Sequence, residues 1–195
     1  MENAGVKIEV FAADVSNAED VAQLLAQTSN LRGVVHAAGV LDDGMLMHQS
    51  PKRFLKVAGP KVSGAWNLHI QTKDLPLDFF VLFSSVASII GSPGQSNYAA
   101  ANAFMDGLAH HRKHQGLVAT SINWGPWSDV GMAASDVVLQ RLMKDGWQPM
   151  NASQGCDFIG HLLKVCKLPQ AAVLPVDWRQ FAASIPGAVD WNILS

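Results

Sequence analysis

Apolar runs alternate with helix-period segments along the whole chain. Residues 7–13 (KIEVFAA) read as a strand, and Ser16-Asn17-Ala18-Glu19 reads as a capping box with Ser16 at the cap, opening a helix to about Thr28. Residues 33–37 (GVVHA) read as a short buried strand. Ser50-Pro51 opens a further helix with Pro at its first position, and Gly59-Pro60 breaks or kinks it before residues 61–69 continue helically. Residues 78–84 (DFFVLFS) show no polar alternation after the first position, so both faces of that strand are expected to be covered. A long Ala-rich helix is expected over 98–115, closed by Gly116, then a strand over 118–124. Helical patterns at 134–144 and 153–166 precede a last strand over 171–176. This alternation predicts an α/β fold, a parallel sheet built of βαβ units.

Composition narrows the class. The chain has 195 residues, 49% hydrophobic and 15% charged, enough for one domain with a sizeable core. Fourteen Lys and Arg against sixteen Asp and Glu give a net charge of −2, with no basic stripe, so neither nucleic acid nor an anionic membrane is expected as a partner. The cationic run His110-His111-Arg112-Lys113-His114 ends a helical pattern and reads as a complement to the helix dipole. No apolar run is long enough to span a membrane, and the N-terminus is not that of a secretory signal. Cys156 and Cys166 form neither CxxC nor a disulfide framework, which fits a reducing cytoplasm. His110 and His114 stand four apart without a third ligand, so no metal is expected.

In parallel sheets ligands bind at the carboxyl ends of the strands. Four predicted strands end in small or polar residues: Asp14-Val15, His36-Ala37-Ala38-Gly39, Ser84-Ser85 and Asn123-Trp124-Gly125-Pro126. Tyr98, the only tyrosine, follows at the start of its helix, with Asn102 one turn on. A phenol that donates and recovers a proton needs a neighbouring cation to stabilise its phenolate. Lys61 is the candidate, because its helix also begins after a strand of this edge. Ser85 is placed to hold a substrate carbonyl, and Asn102 to hold a water. Taken singly, Ser85 caps a loop, Tyr98 is a packed aromatic, Lys61 a surface cation, and Asp42-Asp43 a solvated turn. Only their joint spacing carries chemistry.

Four motifs give that spacing a familiar form: PKVSGAWNLH (60–69), FVLFSSVASIIGSPGQSNYAAANAFMDGLAHHR (80–112), SINWGPW (121–127) and LPVDW (174–178). Together they resemble the ketoreductase domains of modular polyketide synthases, within the short-chain dehydrogenase/reductase superfamily. The superfamily at large shows Tyr-x-x-x-Lys, whereas this chain has Tyr98-x-x-x-Asn102 with Lys61 upstream, as in the synthase ketoreductases. The resemblance implies a Rossmann-like sheet flanked by helices. It implies NADPH-dependent reduction of a 3-ketoacyl thioester on an acyl carrier protein, in polyketide or fatty acid biosynthesis beside other synthase domains. Tyr98 is then the proton donor and Ser85 the hydroxyl that polarises the ketone, since the family's Ser lies 13 residues before its Tyr. Lys61 lowers the Tyr pKa and holds the nicotinamide ribose, and Asn102 supports the relay. The cofactor-contacting positions are Asp14, Val15, Ala37, Ala38, Gly39, Lys61, Tyr98, Gly125, Pro126 and Trp127. Leu41-Asp42-Asp43 matches the signature for D-configured 3-hydroxyacyl products, and the Trp of the opposite class is absent from Gln95-Ser96-Asn97.

Residues 1–195 are therefore expected to be the C-terminal portion of one such domain, with a lid at about 130–147 and the first two βα units absent. No G-x-G-x-x-G turn is found in the sequence. Without those units residues 7–13 lack a neighbour, and 33–37 present an unpaired apolar edge through which self-association is open. The alternative is a non-catalytic domain that keeps the fold without binding cofactor. The chain by itself is expected to bind NADPH weakly and turn over little; tight binding by calorimetry would refute this.

Overall fold

The computed structural model describes residues 5–129, 136–165 and 167–184. Residues 130–135 of the expected lid and Cys166 lie outside the described residues. Four parallel strands stand in sequence order: β1 (Gly33–His36), β2 (Phe79–Ser85), β3 (Thr120–Trp124) and β4 (Gln170–Val173). Pairing sets Gly33 opposite Phe79, Val81 opposite Thr120 and Ser121 opposite Gln170, so Ser85, Trp124 and Val173 stand in line at the carboxyl edge, while β1 ends at His36 opposite Leu82. Helices α1 (Ala18–Ala26), α2 (Pro51–Ala58), α3 (Gly64–Thr72), α4 (Ala87–Ile90), α5 (Ser96–His114), α6 (Asp136–Lys144), α7 (Ala152–Val165) and α8 (Trp178–Ser184) complete the α/β fold.

The core divides at the sheet. Phe80 and Leu82 pack with Val21, Ala65, Leu68, Met105, Leu108 and Ala109, which come from α1, α3 and α5. Val81, Ile122, Trp124 and Val173 pack with Met150, Ile159 and Leu162 at α7 and its approach. Successive β2 side chains thus enter opposite cores, which is why that strand lacks polar alternation.

The termini of the elements differ from expectation for local reasons. Residues 7–13 join no ladder, because no described strand lies beside them; Val10 is 90% exposed. The α1 cap is Asn17, whose side chain accepts from Glu19 N at 2.9 Å, while the Ser16 hydroxyl donates to Asp14 instead. Ser50 and Pro51 do start α2, and Gly59–Ser63 is a π-helical segment that joins it to α3. A π-turn carries one residue more than an α-turn, which re-aims the side chains within it. Gly116, at φ 77°, closes α5, with Gly116 N on Lys113 O and Leu117 N on Arg112 O. That exit uses the backbone at 116–118, so β3 begins at Thr120 rather than 118. Pro175 has no N–H to extend the ladder, so β4 stops at Val173 rather than 176. Helix α8 was not expected, although Asp177 caps it by accepting from Arg179 N and Gln180 N.

The cationic run at the end of α5 is not wholly a surface feature. Arg112 is 1% exposed, donates to Val118 O at 3.1 Å, meets His69 Nδ1 at 3.0 Å and lies 3.9 Å from the Phe80 ring centroid. A guanidinium can be buried there because its flat faces stack while its edges find acceptors.

Leu82 is fully buried in the larger core, whereas Val35 on β1 is 50% exposed. Leu82→Ala is expected to cost about 2–5 kcal/mol and Val35→Ala less than about 0.5 kcal/mol. Urea denaturation of the two variants, read by circular dichroism, checks the contrast.

Candidate active site

The carboxyl edge of the sheet gathers the four residues of the spacing argument. The π-helical segment turns Lys61 inward, where it is 3% exposed. Its ammonium donates to Phe83 O at 3.1 Å and lies 5.2 Å from the centroid of the Tyr98 ring. Gly39 makes room for this side chain: a Cβ there would lie 2.9 Å from Lys61 Cε. Burial lowers the Lys61 pKa to about 8, against a smaller opposing pull from Asp106. His36 is buried beside it, its Nε2 without a hydrogen-bond partner, and its pKa falls to about 4 through burial first and the Lys61 charge second.

The two serines part company. Ser85 Oγ accepts from Ala87 N at 3.2 Å and interacts with the Tyr98 hydroxyl, so it faces the cleft. Ser84 turns its hydroxyl back into the protein, donating to Asn102 O at 3.3 Å and accepting from Asn123 Nδ2 at 3.1 Å. Strand alternation produces this split, and it favours Ser85 over its neighbour. Asn102 is fully buried one turn beyond Tyr98; its Nδ2 donates to Tyr98 O at 2.8 Å, and its Oδ1 has no partner.

One expectation fails. The Tyr98 pKa is raised from the ordinary value, by burial first, although interactions with Asn102 and Ser85 pull it down, and Asp43 raises it further. Lys61 does not depress it here, because its ammonium lies over the ring and is held by the Phe83 carbonyl. The phenol is therefore firmly protonated at neutral pH, as a proton donor must be.

Other sequence candidates surround this group. Asp14 sits in an exposed turn, accepting from Ser16 N at 2.9 Å and Ser16 Oγ at 2.7 Å, which hold its carboxylate below the usual range. Asn67 of α3 ties that turn down by donating to Val15 O and Ser16 O. Ala37 and Ala38 leave β1 exposed. Leu41, Asp42 and Asp43 form a braced loop rather than a free turn. Asp42 pairs with Arg53 at 2.6 Å and Lys56 at 3.1 Å, and Asn97 Nδ2 donates to Asp42 O at 2.8 Å. Asp43 accepts from Gln95 Nε2 at 2.9 Å. Arg53 and Lys56 hold the Asp42 carboxyl below its ordinary range. Gly125 and Pro126 lie on the same edge, with Gly125 N on Val173 O. The structure does not bring the Trp127 ring to the Tyr98 group. It packs 5.0 Å from the Trp124 ring and against Gly155 of α7, where a Cβ would lie 2.1 Å from Trp127 Cη2.

Sequence reasoning missed the layer beneath. Asp106 accepts from Ser88 Oγ and Ser121 Oγ at 2.6 Å each and from Asn123 Nδ2 at 2.9 Å. Its signal was present: Tyr98, Asn102 and Asp106 recur every four residues along one stripe of α5. Among the described residues no cluster of three His, Cys, Asp or Glu could hold a metal ion, and no helix is long and apolar enough to cross a membrane.

The KR domain family model matches residues 1–129. The chain is 42% identical over 198 residues to the polyketide synthase GfsA of Streptomyces halstedii, a match covering 100% of this chain and 3% of that protein. It is 44% identical over 199 residues to the phenolphthiocerol synthesis polyketide synthase type I Pks15/1 of Mycobacterium bovis, covering 95% of this chain and 9% of that one. Among solved structures, A-type ketoreductases from a modular polyketide synthase superpose with a TM-score of 0.89 at 36% identity. That match covers 97% of this chain and 43% of the solved one.

A charged lysine in a buried site opposes folding. Its folded pKa of about 8 lies below the unfolded value near 10.5, so the unfolded chain binds the proton more tightly. Lys61→Met is therefore expected to stabilise the fold at pH 7 by roughly 1–3 kcal/mol, net of the lost hydrogen bond to Phe83 O. The gain is full below pH 8 and disappears as pH rises through about 10.5. Urea midpoints of both proteins across that range check the sign and the window.

Proposed function

The chain belongs to the KR domain family, the ketoreductases of polyketide synthases, and on that premise we propose that it carries the reducing chemistry of such a domain. It is the C-terminal portion of a Rossmann-like ketoreductase domain that reduces a 3-ketoacyl thioester, held on an acyl carrier protein, to the 3-hydroxyacyl form. The observation that carries this reading is the convergence of Lys61, Ser85, Tyr98 and Asn102 at one edge of the sheet. The chain spans 3–12% of the length of the first curated relatives it matches, so the neighbouring synthase domains, the carrier partner and a cytoplasmic site of action are part of the proposal.

The hydride comes from NADPH when that coenzyme is bound. Two buried polar atoms without partners, Asn102 Oδ1 and His36 Nε2, support a polar ligand at this edge. So does Gly39, whose missing side chain leaves Lys61 its path to the cleft. Lys61 and Tyr98 would hold the nicotinamide ribose, Ala37 to Gly39 its backbone side, Asp14 and Val15 the adenosine end, and Gly125 to Trp127 the turn opposite. Ser85 Oγ and the Tyr98 phenol hold the ketone oxygen between two donors, which polarises the carbonyl. Tyr98 gives its proton to that oxygen as it becomes an alcohol. Asn102 braces the first turn of α5 through Tyr98 O and keeps the phenol aimed. Lys61, held by the Phe83 carbonyl with its ammonium over the ring face, serves the ribose rather than the phenol. Leu41, Asp42 and Asp43, fixed by Arg53, Lys56, Asn97 and Gln95, direct the ketone to the face that yields the D-hydroxy product. The described part of the expected lid, residues 136–147, holds α6 and the turn at Gly146 and would frame the acyl chain.

A 3-ketoacyl N-acetylcysteamine thioester mixed with NADPH and this chain tests the reading through nicotinamide fluorescence and chiral analysis of the product. This chain by itself is expected to bind NADPH weakly and turn over little, and whatever D-hydroxy product forms is expected to fall by about 10²-fold or more in Tyr98→Phe. Binding followed by rapid oxidation overturns the expected weakness of the chain alone, no binding leaves the reductase reading intact, and bound NADPH that is not oxidised favours the non-catalytic alternative.

A further inference from the structure

The reductase reading uses Tyr98, Asn102, Ser85 and Lys61 but leaves unused the buried carboxylate on the same helix. Asp106 is almost wholly enclosed and lies two turns beyond Tyr98. Its partners come from three other elements: Ser88 of α4, and Ser121 and Asn123 of β3. Asn123 in turn donates to Ser84 Oγ at 3.1 Å and Ser85 O at 3.3 Å, and its Oδ1 accepts from Gln170 Nε2 at 3.0 Å. Ser84 Oγ closes the ring on Asn102 O.

Donor arithmetic explains why a carboxylate is needed. Two hydroxyls and one amide hydrogen converge on this side chain, and a carboxyl offers two oxygens to accept them where an amide offers one. Around it, Met105, Leu108 and Ala109 pack with Phe80 and Leu82 of β2 in an apolar contact that by itself would tolerate sliding. The polar contacts are directional and admit one register.

We propose that Asp106 is a positioning residue of this reductase site, clamping the helix that carries Tyr98 and Asn102 to the strands that carry Ser85 and Asn123. The proposal rests on the reductase reading of those residues. The charged and titratable groups facing Lys61 are His36 from β1 and Tyr98 and Asp106 from α5. Of these, Asp106 supports the charged lysine, raising its pKa against the effect of burial. The clamp also keeps the Tyr98 hydroxyl within reach of Ser85 and Asn102, both of which lower its pKa.

The test is a pair of titrations on the chain itself, and neither needs coenzyme or ketone. Failure of turnover would count against the reductase reading and leave these titrations readable. Tyr98 is the only tyrosine, so a Cζ-labelled tyrosine gives a single carbon resonance that reports its ionisation. Lys61, with a midpoint near 8, separates from the exposed lysines in carbon spectra of labelled lysine and is identified by Lys61→Arg. In Asp106→Asn, the Lys61 midpoint is expected to fall and the Tyr98 midpoint to rise, each by about half a pKa unit or more. If Asp106→Asn does not fold, Ser88→Ala combined with Ser121→Ala keeps the charge and loosens the clamp. In that variant the Tyr98 midpoint is expected to rise while Lys61 stays near 8. A folded Asp106→Asn with both midpoints unmoved, even one that melts at a lower temperature, overturns the proposal. So does a folded double variant with an unmoved Tyr98.

Discussion

Helix α5 packs on the face of β2 and β3, and the contact is held at its centre by polar groups shut away from water. An apolar helix–sheet interface fixes distance well and register poorly, because one methyl contact replaces another at similar energy. The serines and asparagine around Asp106 remove that freedom. Everything at the sheet edge depends on the register they choose. It decides whether Tyr98 stands beside Ser85, whether Asn102 reaches Tyr98 O, and where the ring of Tyr98 lies relative to Lys61.

The electrostatics of the edge follow from burial more than from pairing. Lys61 and His36 lie side by side out of water, and both hold their protons less tightly than usual. Tyr98 holds its proton more tightly. A site in this condition is poised for a ligand that brings hydroxyls and charge of its own, since buried polar atoms such as Asn102 Oδ1 and His36 Nε2 have no other partner. The fold tolerates this cost because the two cores on either side of the sheet are well filled. Sites that carry chemistry often conflict locally with stability in this way.

The outer edge of the sheet has a different character. No described strand pairs with β1 on its far side, residues 7–13 run without a ladder, and Val10 and Val35 face solvent. The polar clamp lies at the β2–β3 pair, one strand further in. The geometry around Tyr98 is thus organised from the interior of the sheet outward, and α5 would keep its register even if the edge moved.

The sequence by itself determined the alternation of strands and helices, the burial of β2 on both faces and the Ser50-Pro51 and Gly116 boundaries, and it singled out the spacing of four candidate residues. These are set by local rules of period, capping and φ, or by a spacing that motifs repeat. Tertiary structure supplied the physical reason for preferring Ser85, because the pleat of β2 within the sheet turns the Ser84 hydroxyl inward. It decided that Asn17 caps α1, since Ser16 had a competing acceptor in Asp14. Arg112 reads as a solvated charge until Phe80, His69 and Val118, far apart in sequence, assemble around it. The direction of the Tyr98 pKa belongs to the same class. A lysine could be assigned to that tyrosine from spacing, but whether its ammonium meets the hydroxyl or the ring face depends on a π-turn, a glycine and a carbonyl from three separate segments. Interactions between neighbours in sequence are written in the chain, whereas the balance of burial against charge exists only once distant segments exclude water together.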